Sequence, residues 1–145
     1  MTGAPVPAAP DDPGSTASGP GRVLVAVYGV FALAATARAG YQLIAKFDEA
    51  PLAYLLSALA ALVYVVATFA LATDRRGLAW AAVGVELVGV LAVGTLSVVD
   101  AGDLPDQTVW SGYGQGYGYV PLVLPFLGVA WLRHTRSRSA GPADQ

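Results

Sequence analysis

Residues 77–99 read GLAWAAVGVELVGVLAVGTLSVV, 23 residues with one charge, Glu86, and no proline. A hydrocarbon layer of ~30 Å is crossed by about 20 residues of α-helix. The stretch is long enough to do this, and it is too continuously apolar for the alternating faces of a barrel strand. Working outward, three more windows of the same length qualify. They are 23–45 with Arg38 as its one charge, and 51–73 and 110–132 with none. Open sheet edges cannot face lipid, because each unpaired peptide group costs several kcal/mol there. The expected fold is therefore all-α, a polytopic membrane bundle of four transmembrane helices.

The composition of the whole chain agrees. Of 145 residues, 55% are hydrophobic and 12% charged, where a soluble domain carries about 25% charged residues. Mean hydropathy is +0.56. Cys is absent and His134 is the one histidine, so no thiolate or paired-histidine metal set can be assembled. No cofactor is indicated, and no nucleophile–base pair for an enzyme emerges. A net charge of −2 without a basic aromatic face gives no reason to expect a nucleic-acid partner.

Outside the windows the chain is short of material for a soluble domain. Residues 1–21 are rich in Pro, Gly, Ser and Ala and are expected to form a disordered tail. The transmembrane domain occupies 22–132, and a basic tail follows over 133–145. The link Asp74-Arg75-Arg76 makes the second and third helices antiparallel neighbours. Ala35-Thr36-Ala37 after an apolar run resembles a signal cleavage site, but the acidic, proline-rich flank and the apolar residues beyond Arg38 favour an uncleaved helix.

Basic residues collect on the cytoplasmic side of short loops. Arg22, Arg75, Arg76, Arg133, Arg136 and Arg138 fall on one side of the four spans and Lys46 on the other, where the third loop carries Asp100, Asp103 and Asp106. Both termini are therefore expected in the cytoplasm, in a cell membrane. Trp110, Tyr41 and Tyr113 would lie at the outer interface, and Trp80 and Trp131 at the inner one. The three aspartates lack the ligand spacing of a calcium loop and read as a plain acidic outer loop. The basic C-terminal tail reads as a topology anchor with an anionic-lipid contact.

Ionisable side chains inside a span mark a functional site by default. Arg38 stands roughly 22 Å and Glu86 roughly 14 Å from the inner boundary, and helical side chains lean toward the N-terminus. The two are expected to pair in a polar interior. Around Glu86, Ala79, Ala82, Gly89, Val93 and Ser97 form a small-residue face. Tyr54, Ser57, Ala61, Tyr64 and Thr68 form one stripe of the second helix, and Tyr41 and Gln42 extend the polar face of the first. The pair reads either as a clamp fixing helix register or as a working site in which Glu86 exchanges a proton.

Between Trp110 and Pro125 glycines alternate with Tyr113, Gln115, Tyr117 and Tyr119. Each glycine costs about 1 kcal/mol of helix propensity, so the fourth helix is expected to start late, kink, or begin as a re-entrant stretch. The tyrosines, Tyr117 and Tyr119 included, line an outer vestibule or pack the segment in place.

The segments Arg38-Ala-Gly-Tyr-Gln42, Val85-Glu-Leu-Val-Gly89, Leu96-Ser-Val-Val-Asp100 and 105–125 resemble a family of small, uncharacterised four-helix integral membrane proteins of high-GC Gram-positive bacteria. The absence of Asn, with Lys46 and Ile44 each alone of its type, fits that source. The resemblance implies no activity. The chain is unlike the small multidrug exporters, whose essential carboxylate lies in the first helix, where this chain has Arg38. The expected function is a non-enzymatic interaction or accessory component. Its partners would be the lipid bilayer and either a second copy or another membrane protein. The alternative is a proton-coupled carrier of a small solute using Glu86.

Overall fold

The computed structural model describes residues 15–100 and 108–140. Within them the chain is all-α. Among the described residues there are four α-helices, α1 (Pro20–Ala45), α2 (Pro51–Ala72), α3 (Arg76–Val99) and α4 (Val120–Ala140), with short turns of 3-10 helix at Phe47–Glu49 before α2 and at Ser111–Tyr113 and Gln115–Tyr117 before α4. The helices pack in chain order, α1 on α2, α2 on α3 and α3 on α4. Pro20 and Pro51 sit in the first turns of α1 and α2, where a missing N–H costs nothing. The α2–α3 reversal turns on Asp74, whose φ of 56° is a left-handed value that Asp tolerates better than most residues.

Three helices, α1, α2 and α3, are long and apolar enough to cross a membrane. The distribution of side chains fits such a crossing. Their buried faces are small or polar, with Ala35, Ala39, Ala53, Ala60, Ala67, Ala79 and Ser57, while Val30, Leu33, Ile44, Leu55, Leu62 and Val88 stand exposed. Water would punish that arrangement, whereas acyl chains are as apolar as leucine and close helix contact favours small residues.

The fourth window starts late, as its glycines lead one to expect. Helix begins at Val120 rather than residue 110, and its apolar part, Val120–Thr135, is shorter than the other three helices. The physical reason is backbone geometry. Gly112, Tyr113 and Gly114 take φ of 57°, 60° and 84°, and Gly118 and Tyr119 take 65° and 61°. Five left-handed residues in eight cannot propagate a right-handed helix. The segment instead packs on α3. Ser97 Oγ accepts from the Gly112 N–H at 2.7 Å, and Thr95 Oγ1 lies 2.9 Å from the Tyr113 hydroxyl. At Gly94 a Cβ would collide with the Tyr113 ring. Irregular backbone is tolerated at membrane depth only when covered and bonded in this way.

The N-terminal tail also needs correction. Residues 1–14 lie outside the described residues, but Ser15, Thr16 and Ser18 are buried. The Thr16 hydroxyl donates to the Leu71 carbonyl at 2.6 Å, its N–H donates to Asp74 Oδ1 at 3.0 Å, and its carbonyl accepts from Trp131 Nε1 at 2.8 Å. Nearby, Arg76 donates to Thr135 Oγ1 at 2.8 Å and to the Leu132 carbonyl. The start of α1, the α2–α3 turn and the far part of α4 thus meet at one end of the bundle. Thr16→Val should cost about 1 kcal/mol by leaving the Leu71 carbonyl without its donor. Faster amide exchange over residues 17–22 would report it. Unchanged exchange would mean that Thr16 does not hold the start of α1.

Candidate functional site

The interior of the bundle is built from four side chains with no exposed surface, Tyr28 on α1, Tyr64 on α2, Glu86 on α3, and Trp110 from the segment before α4. Tyr28 lies on the stripe Leu24, Tyr28, Ala32, Ala35, Ala39, Gln42, spaced by three and four residues and buried throughout. Its hydroxyl donates to Glu86 Oε2 at 2.6 Å and lies 3.5 Å from the Leu124 carbonyl. Gly128 lets α4 close over this bond, since a Cβ there would stand 3.1 Å from Val83 and 3.2 Å from the Tyr28 oxygen.

Trp110 completes the interior from the opposite direction. Its indole N–H donates to the Tyr64 hydroxyl at 3.0 Å. The ring fills the hollow at Gly89, where a Cβ would overlap it. Gly89 is ten residues from the end of α3 at Val99, so Trp110 reaches about 15 Å inward along the helix axis. It is not the outer-interface anchor expected from its type. An aromatic column connects these groups, with ring centroids 6.2 Å apart for Tyr28–Tyr64, 5.6 Å for Phe31–Tyr64 and 5.8 Å for Phe31–Tyr117.

The Arg38–Glu86 pair is corrected. Half-buried Arg38 donates to the Tyr117 hydroxyl at 2.9 Å, and Glu86 takes Tyr28. Counted from the end where Thr16 meets Asp74, Arg38 is about 27 Å along α1 and Glu86 about 15 Å along α3. That gap is longer than an arginine arm.

The other candidate residues are dispersed. Gln42 is buried at the far end of α1, and Tyr41 is exposed with the Lys46 ammonium 5.9 Å from its ring centroid. Tyr119 and Asp100 are exposed, while Asp103 and Asp106 lie outside the described residues. On α2, Tyr54, Ser57, Ala61 and Tyr64 are buried, and the Thr68 hydroxyl donates to the Tyr64 carbonyl at 2.7 Å. Tyr28 and Trp110 carry the interior yet were not expected there. The three-and-four spacing of polar and small residues around Tyr28 was the available signal for the first.

Three buried polar atoms, Glu86 Oε1, Gln42 Oε1 and Ser57 Oγ, have no hydrogen-bond partner among the described residues. One carboxyl against one phenol can hold or pass a proton. No group of three metal-ligating side chains occurs among the described residues. No family model, curated protein or solved structure matches the chain. Fold and interior together define a small polytopic helical membrane protein.

Proposed function

We propose that this chain is a non-enzymatic component of the cytoplasmic membrane that associates laterally with a second copy or another membrane protein. The supporting observation is how its interior polar groups are used. Tyr28–Glu86 ties α1 to α3, Trp110–Tyr64 ties the outer segment to α2, and Arg38–Tyr117 ties α1 to the same segment. Such bonds fix one arrangement of helices and leave the lipid-facing surface to meet neighbours. Both termini lie in the cytoplasm in this reading. The meeting of Thr16, Asp74, Arg76 and Thr135 at one end supports it, because the basic side of the chain is gathered there.

Affinity purification in mild detergent tests the proposal. A membrane protein recovered in fixed ratio, or a crosslinked second copy, is the expected result. Recovery of the chain alone and monomeric, from membranes crosslinked beforehand, would overturn it. A second reading, a proton-coupled carrier, is favoured by the buried and unbonded Glu86 Oε1. It requires pH-driven solute flux in proteoliposomes that Glu86→Gln abolishes.

A further inference from the structure

Between α1 and α4 lies a groove of about 770 Å³. Val23, Leu24 and Val27 form one wall, and Val123, Leu127 and Trp131 the other. Val23, Val123 and Leu127 are exposed by 66%, 49% and 53%, so the groove opens toward the surrounding lipid. Along α4 it runs from Val120 to His134, about 21 Å by helical rise. One leaflet of the hydrocarbon layer is about 15 Å deep, so the groove can receive the whole of a chain lying in that leaflet. Its chemistry is asymmetric. The wall residues Val23, Leu24, Val27, Val123, Leu127 and Trp131 are all apolar, but one end closes on His134, whose ring centroid lies 5.6 Å from that of Trp131. Exposed Arg22 and Arg133 are each next in sequence to a lining residue at that end, and Arg22 lines the adjoining apolar groove that shares Val23 and Val27.

We propose that this groove binds one anionic phospholipid, an acyl chain along Val23, Val27, Val123 and Leu127 and the phosphate at Arg22, Arg133 and His134. Charge selects this occupant over a second copy. Two copies inserted in the same direction would bring their basic ends together across the groove, whereas a phosphate neutralises one of them. Basic pockets between membrane helices take anionic headgroups for this reason, at about fivefold in affinity per charge. Trp131 is held against the groove by its bond to the Thr16 carbonyl at 2.8 Å. The proposal needs only that the helices lie in a bilayer, and it stands apart from the choice between accessory and carrier.

Trp131 is also the reporter. In the full-length Trp80→Phe chain, Trp110 is shielded by complete burial, and Trp131→Phe gives the background to subtract. Reconstitution into phosphatidylcholine vesicles doped with chain-brominated phosphatidylglycerol should quench Trp131 at roughly a fivefold or greater lower mole fraction than chain-brominated phosphatidylcholine does. Arg22→Gln with Arg133→Gln should bring the two lipids to the same curve. Equal quenching in the unmodified groove would overturn the proposal, as an unselective lipid annulus. Protection from both lipids, with crosslinking of Val123→Cys chains that have no native Cys, would overturn it in favour of a second copy.

Discussion

Replacing Trp110 with alanine is expected to lower stability in detergent by about 3–5 kcal/mol, the range for emptying a large aromatic site. For a chain of this size that is on the order of 10 °C in the thermal midpoint. The ring is fully buried, fills the hollow at Gly89 and bonds Tyr64. Removing it takes away packing, an indole donor and the anchor of a segment with five left-handed residues. Trp110→Phe keeps most of the volume and should lose about 1 kcal/mol for the bond. The neighbour supplies the decisive comparison. Gly89→Ala should cost about 1–3 kcal/mol in the unmodified chain, because its Cβ enters the ring, and little once Trp110 is alanine. An equal cost in both backgrounds would show that the ring does not occupy that hollow.

The fold was legible where physics leaves few alternatives. Uninterrupted apolar runs of bilayer length at 23–45, 51–73 and 77–99 became α1, α2 and α3 within a few residues, because lipid forces each span to satisfy its own backbone. The late start of α4 was legible in its glycines. Which way the freed segment would fold was not, because that depends on Gly89 and Gly94 offering hollows for Trp110 and Tyr113. Such a fit lies in three dimensions rather than in any one window. The docking of Thr16 escaped for a related reason, since a Ser/Thr/Pro-rich stretch shows no periodicity even when backbone acceptors such as Leu71 await it.

The interior was half legible. Glu86 was legible as an ionisable group inside an apolar span, and Tyr64 as part of the polar stripe of the second helix. The bonding partner of Glu86 was misread because opposite charge was weighed above position. Tyr28, about 12 Å from the start of α1, matches the depth of Glu86, and Arg38 does not. Arg38 also stands about 80° round the helix from Tyr28, at the edge of the buried stripe. There it reaches Tyr117.

This correction yields the second large effect. Tyr28→Phe should destabilise the protein by about 1–3 kcal/mol, and more where the carboxyl is ionised, because a buried acceptor is left without its donor. The Glu86 carboxyl would lose its one described donor in a site closed by Gly128 and Val83. Glu86→Leu should cost about 1–3 kcal/mol, stranding the Tyr28 hydroxyl beside a Leu124 carbonyl 3.5 Å away. Combining Tyr28→Phe with Glu86→Leu replaces both polar groups by apolar ones, so the double variant should be more stable than the sum of the two losses predicts, by about 2 kcal/mol. Arg38→Leu should combine with Glu86→Leu additively, since the two side chains share no contact. Thermal midpoints of the six chains in one detergent decide the matter. Coupling of Glu86 to Arg38 in place of Tyr28 would restore the pairing of opposite charges, and with it a different rotation of α1 against α3.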